Sequence, residues 1–98
     1  MNEGLKLMLQ LKMLTDKIDR KIKTTGTSIL DTTEMLQSKI DIAEVLVKLS
    51  NLSMSEDFSD VEKKTIEDVV METRIRYHIQ SGIYAVAESR IAEREKND

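Results

Sequence analysis

SILDTTEMLQSKIDIAEVLVKLSN, residues 28–51, is the stretch that decides the fold. Ile29, Thr33, Leu36, Ile40, Ala43 and Val47 recur at alternating steps of four and three. At about 100° per residue those steps keep one face of an α-helix in line. Met35, Ile42, Leu46 and Leu49 form a second stripe beside the first. The two together cover about half of the helical cylinder and leave Gln37, Asp41, Glu44 and Lys48 for water. A half-buried strand would alternate with a period of two, and this stretch does not. A helix so broadly apolar needs neighbours on more than one side, which places it in the middle of an all-α fold.

Upstream, Leu7, Leu11, Leu14, Ile18 and Ile22 form one stripe of a first helix over about residues 2–23. Leu5, Leu9 and Met13 fall nearly opposite, and their line ends at Asp16 and Arg20. TTGTS, residues 24–28, combines β-branched residues with Gly26 and reads as a break, although one unbroken helix through it is the alternative. Ser28 is the expected cap of a second helix over residues 28–51. Residues 52–59 are rich in cap and turn formers, and Ser59 with Glu62 has the spacing of a capping box. A third helix is therefore expected over about 60–94, with no obvious stop inside it. Ile66, Val70, Tyr77, Tyr84 and Ile91 share one face of it, with Val69, Thr73 and Ala87 beside them. Ile75, Ile79, Ile83 and Val86 lie well round from that face, roughly in line with Val61.

The chain has 98 residues, enough for a single domain over residues 1–98. Its aromatic residues are Phe58, Tyr77 and Tyr84, and it has neither Trp nor Pro. Such scarcity favours helices packed with aliphatic side chains over a two-layer sheet protein. The expectation is a helical hairpin or three-helix bundle, assembled as an oligomer, because two apolar stripes on each helix exceed what one small core covers. The absence of Cys excludes disulfides, thiolate metal sites and a cysteine nucleophile. Lys6 and Lys12 interrupt the apolar amino-terminal run, so neither a secretory signal nor a membrane span is expected, and cytoplasmic residence follows.

Charge is unevenly spread. Formal net charge is -3, yet the first 27 residues hold Lys6, Lys12, Lys17, Arg20, Lys21 and Lys23 against Glu3, Asp16 and Asp19. A basic first helix facing acidic later ones suits packing inside one bundle or attraction of an acidic partner. Nucleic acid is not the expected partner, because the basic stretch lacks interleaved aromatics and the whole chain is acidic.

Catalytic chemistry finds no foothold. His78 stands alone, with no carboxylate three or four positions away on its own helix, so it makes neither a metal site nor an oriented general base. The carboxylates lack the Glu-x-x-His pairs of di-metal bundles. No catalytic residue, cofactor or metal is expected. One anion-binding candidate remains: Lys21, Lys23, Thr24, Thr25, Thr27 and Ser28 cluster about a Gly-containing turn that opens a helix. The order of a phosphate-binding P-loop is missing from it.

The function that follows is a non-enzymatic protein-interaction module, such as an adaptor, a small chaperone or an inhibitor of another protein. Its partner-binding residues are expected to be Leu5, Leu9, Met13, Ile75, Ile79, Ile83 and Val86. The expected partners are a second copy, forming a homodimer through the first or third helix, and a further protein. A phosphate or nucleotide binder using the Lys-rich turn, and a nucleic-acid-associated protein using the basic first helix, are the alternatives.

Overall fold

The computed structural model describes residues 2–55 and 57–97; Met1, Glu56 and Asp98 lie outside the described residues. It is all-helical. Four α-helices follow in order: α1 (Glu3–Thr25), α2 (Leu36–Ser53), α3 (Asp60–Arg76) and α4 (Ser81–Asn97). Two short 3-10 turns, Thr27–Asp31 and Thr33–Met35, connect α1 to α2.

Local chemistry sets the helix ends. The Asn2 side chain accepts from the amides of Gly4 (2.7 Å) and Leu5 (3.3 Å), satisfying donors that the first turn leaves free. Gly26 ends α1 at φ 88°, ψ 166°, a conformation that side chains with a Cβ resist. The break at 24–28 is therefore real, and the unbroken alternative is not what forms.

Two boundaries differ from the sequence reading. The second helix does not begin at Ser28, whose side chain caps nothing; α2 starts at Leu36. Thr32 is extended (φ -90°, ψ 157°), and its hydroxyl donates to Ile29 O at 2.7 Å. A run of Asp and Thr thus offers the backbone local bonds that compete with a helix. The Lys39 ammonium, buried, donates to Leu30 O at 3.1 Å and ties the connection back onto α2.

The expected third helix is in fact two. At the end of α3 the Ile79 amide donates to Arg74 O (2.8 Å) and the His78 amide to Ile75 O (3.3 Å). These are the paired bonds of a Schellman stop, with His78 in the left-handed region at φ 56°. Glycine usually fills that position, so no conventional stop signal was visible. Four residues later the chain is helical again, on a new axis.

α2 is the hub. Ile42, Ala43, Leu46 and Leu49 are fully buried, and Ile40, Val45 and Val47 nearly so. α1, α3 and α4 each pack on α2 rather than on one another. α1 contributes Leu7, Leu11 and Ile18, α3 contributes Val70, and α4 contributes Ala87 and Ile91. As α4 advances from Tyr84 to Arg94, its partners on α2 step back from Ser50 to Glu44, so the two run in opposite senses. Glu44, expected to face water, is instead covered by α4 and paired with Arg94.

Candidate functional site

Because α1 and α3 both pack chiefly on α2, a seam lies between them. At one end it opens into a groove of about 340 Å³, lined by Gly4, Leu5 and Met8 of α1, Leu49 of α2, and Val61, Thr65, Ile66 and Val69 of α3, with Asn2 and Glu62 at its polar edge. At the other end it is closed by polar contacts. The Tyr77 hydroxyl donates to Asp19 Oδ1 at 2.8 Å, and Arg76 Nε donates to the same hydroxyl at 3.1 Å. Arg76 also reaches Asp19 directly at 3.6 Å. Leu5 beside Val61 at one end, and Asp19 beside Tyr77 at the other, mean that the two helices run in the same direction.

The groove mouth is apolar and open to solvent. Leu5 is 52 % exposed, Met8 38 % and Val61 77 %; Leu9 (49 %) and Met13 (70 %) lie outside the groove lining, farther along the outer side of α1. Burial of such side chains is worth roughly 1.5–3 kcal/mol each when complete, so a contiguous set of them is a strong reason to expect an occupant. Farther along α3, Met71 and Ile75 (69 % exposed) continue the apolar character on its outer side. Ser59 and Glu62 form the anticipated capping box at the α3 end of the groove, with bonds of 3.2 and 3.1 Å. The Ser59 backbone amide, then its hydroxyl, holds the Glu62 carboxyl below the ordinary carboxylate range.

The structure separates the seven partner-binding residues expected from sequence. Leu5, Leu9 and Met13 share the outer side of α1, and Ile75 and Val86 are exposed on α3 and α4. Ile79 is not at a surface: it is 3 % exposed, in the core, directly after the Schellman stop. Ile83 is half-buried against the core with Tyr84. The break at 77–80 is the reason, since it resets the angular phase of everything after it. Met8, Val61 and Met71 also belong to the exposed apolar set; the helical period places Val61 near the outer line, and the two methionines are of the flexible kind that suits an adaptable surface.

The residues of the anion-binding candidate converge only in part. Lys17, Arg20, Lys21, Thr24 and Thr25 line a cleft of about 560 Å³ with Ile29, Glu34 and Ser38, but Lys23, Thr27 and Ser28 lie outside it. Lys21 is paired with Glu34 at 2.6 Å. The Thr24 and Thr25 hydroxyls donate to Lys21 O at 3.1 and 2.6 Å, back-bonding to their own helix. Lys21 is thus neutralised and the Thr24 and Thr25 hydroxyl protons are committed, while Lys17 and Arg20 leave the cleft lining with an excess of positive charge.

His78 faces Asp31, with Nδ1 3.0 Å from Oδ1. That pair spans the α3 stop and the connection before α2, at the rim of an open hollow that includes Met71 and Ile75. Among the described residues no three His, Asp or Glu side chains gather as metal ligands would. Nor is any described helix long and apolar enough to cross a membrane.

Set against known protein families, curated proteins and solved structures, the chain matches none of them.

Proposed function

We propose that this chain is a non-enzymatic interaction module that docks a helical surface of a protein on the face formed by α1 and α3. The observation that carries the reading is the open apolar end of the α1–α3 seam, where Leu5, Met8 and Val61 stand over Leu49. A groove between two helices with a hydrophobic floor receives an amphipathic helix by spaced apolar anchors. The methionines add to this, because Met8 and Met13 are flexible thioethers that repack around different shapes. An adaptor, a small chaperone and an inhibitor are the roles such a face serves.

The test is site-resolved photo-crosslinking in cells that produce the chain. A photoreactive amino acid replaces Leu9, Val61 or, as a control on the exposed side of α4, Ser89. Positions 9 and 61 are expected to capture protein, and position 89 to capture much less. Equal capture at all three positions would refute the reading. Leu5→Glu, exposed enough to leave the fold intact, is expected to suppress capture at positions 9 and 61 while circular dichroism stays helical.

A further inference from the structure

We infer that the outward side of α1 docks an acidic amphipathic helix of another protein. This surface is distinct from the α1–α3 groove and goes beyond the reading above. Unspent charge carries it. α1 holds six basic residues against Glu3, Asp16 and Asp19. Packing inside the bundle does not use that excess. Among the described residues, Lys21 alone of the six meets an acid of another element, Glu34 at 2.6 Å. Lys12 is held by Asp16 of its own helix at 3.3 Å, and Asp19 is taken by Arg76 of α3. Lys6, Lys17, Arg20 and Lys23 enter no ion pair with a described residue, and all four are exposed.

These four cations share one side of the helix with two exposed apolar residues. At about 100° per residue, Lys6, Met13, Lys17, Arg20 and Lys23 all fall within about 80° of Leu9, opposite the buried Leu7, Leu11 and Ile18. Glu3 stands about 120° round from Leu9, off this side. Lys17 and the groove-lining Met8 are half a turn apart about the axis, so the two surfaces look different ways. From Leu9 to Lys23 the side runs ~21 Å, apolar toward its start and cationic toward its end. Where the two halves meet, Met13, Leu14, Asp16, Lys17 and Arg20 line a hollow of about 250 Å³. Asp16 is already engaged there by Lys12, so the charge left in the hollow is that of Lys17 and Arg20.

A partner that fits has apolar anchors three or four residues apart in one half and carboxylates in the other, which describes an amphipathic helix with an acidic end. Its anchors cover Leu9 and Met13, and its carboxylates meet Lys17, Arg20 and Lys23 as complementary charge. Arg20 suits a carboxylate in particular, because its planar guanidinium takes one through two parallel bonds. The width of the partner is what selects a helix. Outside α1 the chain carries 15 acidic residues against nine basic ones, so a broad polyanion such as a phospholipid surface or a nucleic-acid duplex is repelled by the flanks of the bundle. A helix about 10 Å across meets α1 alone, since charges beyond ~8 Å are largely screened at physiological salt. A free phosphate, for its part, covers neither Leu9 nor Met13.

The experiment is selection of displayed helical peptides on the immobilised full chain. The peptides have about twenty residues, long enough to span the surface. Their apolar residues are fixed at helical spacing, and the other positions are drawn evenly from Glu, Lys, Gln and Ser. Enriched peptides are expected to carry an excess of Glu toward one end. Followed by fluorescence anisotropy, their binding is expected to weaken at least about tenfold in a chain carrying Lys17→Glu and Arg20→Glu, and to weaken with added salt. A control chain carrying Lys48→Glu and Arg90→Glu, exposed on α2 and α4, is expected to bind as before, with both variants helical by circular dichroism. Peptides with their Glu replaced by Lys are expected to regain binding on the α1 variant. No enriched peptide, enrichment without acidic excess, or undiminished binding by the α1 variant overturns the inference. So does tighter binding of phosphatidylserine vesicles or of a DNA duplex than of any selected peptide. If it is overturned while position 61 still captures protein, the α1–α3 groove stands and this surface does not.

Discussion

His78 offers a sharp test of the architecture, because glycine and alanine at that position must rank in opposite orders for a broken and a continuous helix. In an uninterrupted helix, alanine is more stable than glycine by about 1 kcal/mol. At φ 56° the order inverts: a side chain with a Cβ in the left-handed region costs about 1–2 kcal/mol, which glycine avoids, and the greater freedom of glycine in the unfolded chain returns part of that. The net is about 1 kcal/mol in favour of glycine. Both substitutions delete the imidazole and with it the 3.0 Å contact to Asp31, so that loss cancels in the comparison. For a domain of this size 1 kcal/mol is worth about 4–8 °C. His78→Gly is therefore expected to melt several degrees above His78→Ala, measured by circular dichroism at one protein concentration so that any association contributes equally. A higher melting temperature for His78→Ala would refute the Schellman stop and with it the separation of α3 from α4.

Three further outcomes follow from the packing. Ile79→Ala is expected to cost about 2–4 kcal/mol in urea unfolding, as truncation of a core side chain does, while Leu9→Ala changes the stability of the monomer by no more than about 0.5 kcal/mol; similar losses for both would contradict their placement. Tyr77 is buried, and burial first, then its bond to Asp19, raises the phenol above its ordinary range. The folded state thus holds that proton more tightly than the unfolded one, so its contribution is complete below pH 10 and falls as pH climbs through the raised folded value; Tyr77→Phe is expected to flatten that alkaline decline in a denaturation series run from pH 8 to 12. Finally, phosphate and nucleotides are expected to leave the melting temperature unchanged, since Lys21 is already paired with Glu34 and Lys23, Thr27 and Ser28 lie outside the cleft; a ligand-dependent rise that Lys23→Ala erases would restore the anion-binding alternative.

The sequence makes the hub legible and the seams less so. Residues 36–53 carry a helical period too wide for one neighbour, and α2 is indeed surrounded; no competing chemistry disturbs that signal. The two places where reading falters are both backbone decisions taken by residues with weak local preferences. Around Thr32 a hydroxyl bond diverts the chain into 3-10 turns, although the apolar period runs on through Ile29 and Met35. At His78 the stop depends on one left-handed residue that is neither Gly nor Asn. Missing that stop carries phase from α3 into α4, which is why Ile79 reads as surface and lies in the core. Upstream of any break the phase is sound, and there Leu5, Leu9 and Met13 read as outward-facing and are. Glu44 fails differently: its place on the polar side of α2 is right, but only tertiary structure brings Arg94 over it.

The distribution of polar contacts explains why one seam stays open. Between α3 and α4, Arg74 lies over the Tyr84 ring at 4.3 Å, and the Tyr84 hydroxyl meets Ser50 of α2 at 3.2 Å, so that junction is latched to the hub. Between α1 and α3, Asp19, Tyr77 and Arg76 latch the far end. No described polar bond crosses the near end, and its walls are Leu5, Met8, Val61 and Thr65. Directional bonds fix the spacing of two helices, whereas apolar walls are indifferent to what fills the space between them. A seam held apart at one end and unlatched at the other keeps a fixed width without closing. The hub geometry therefore holds a ready-made slot for an apolar ridge from outside the monomer.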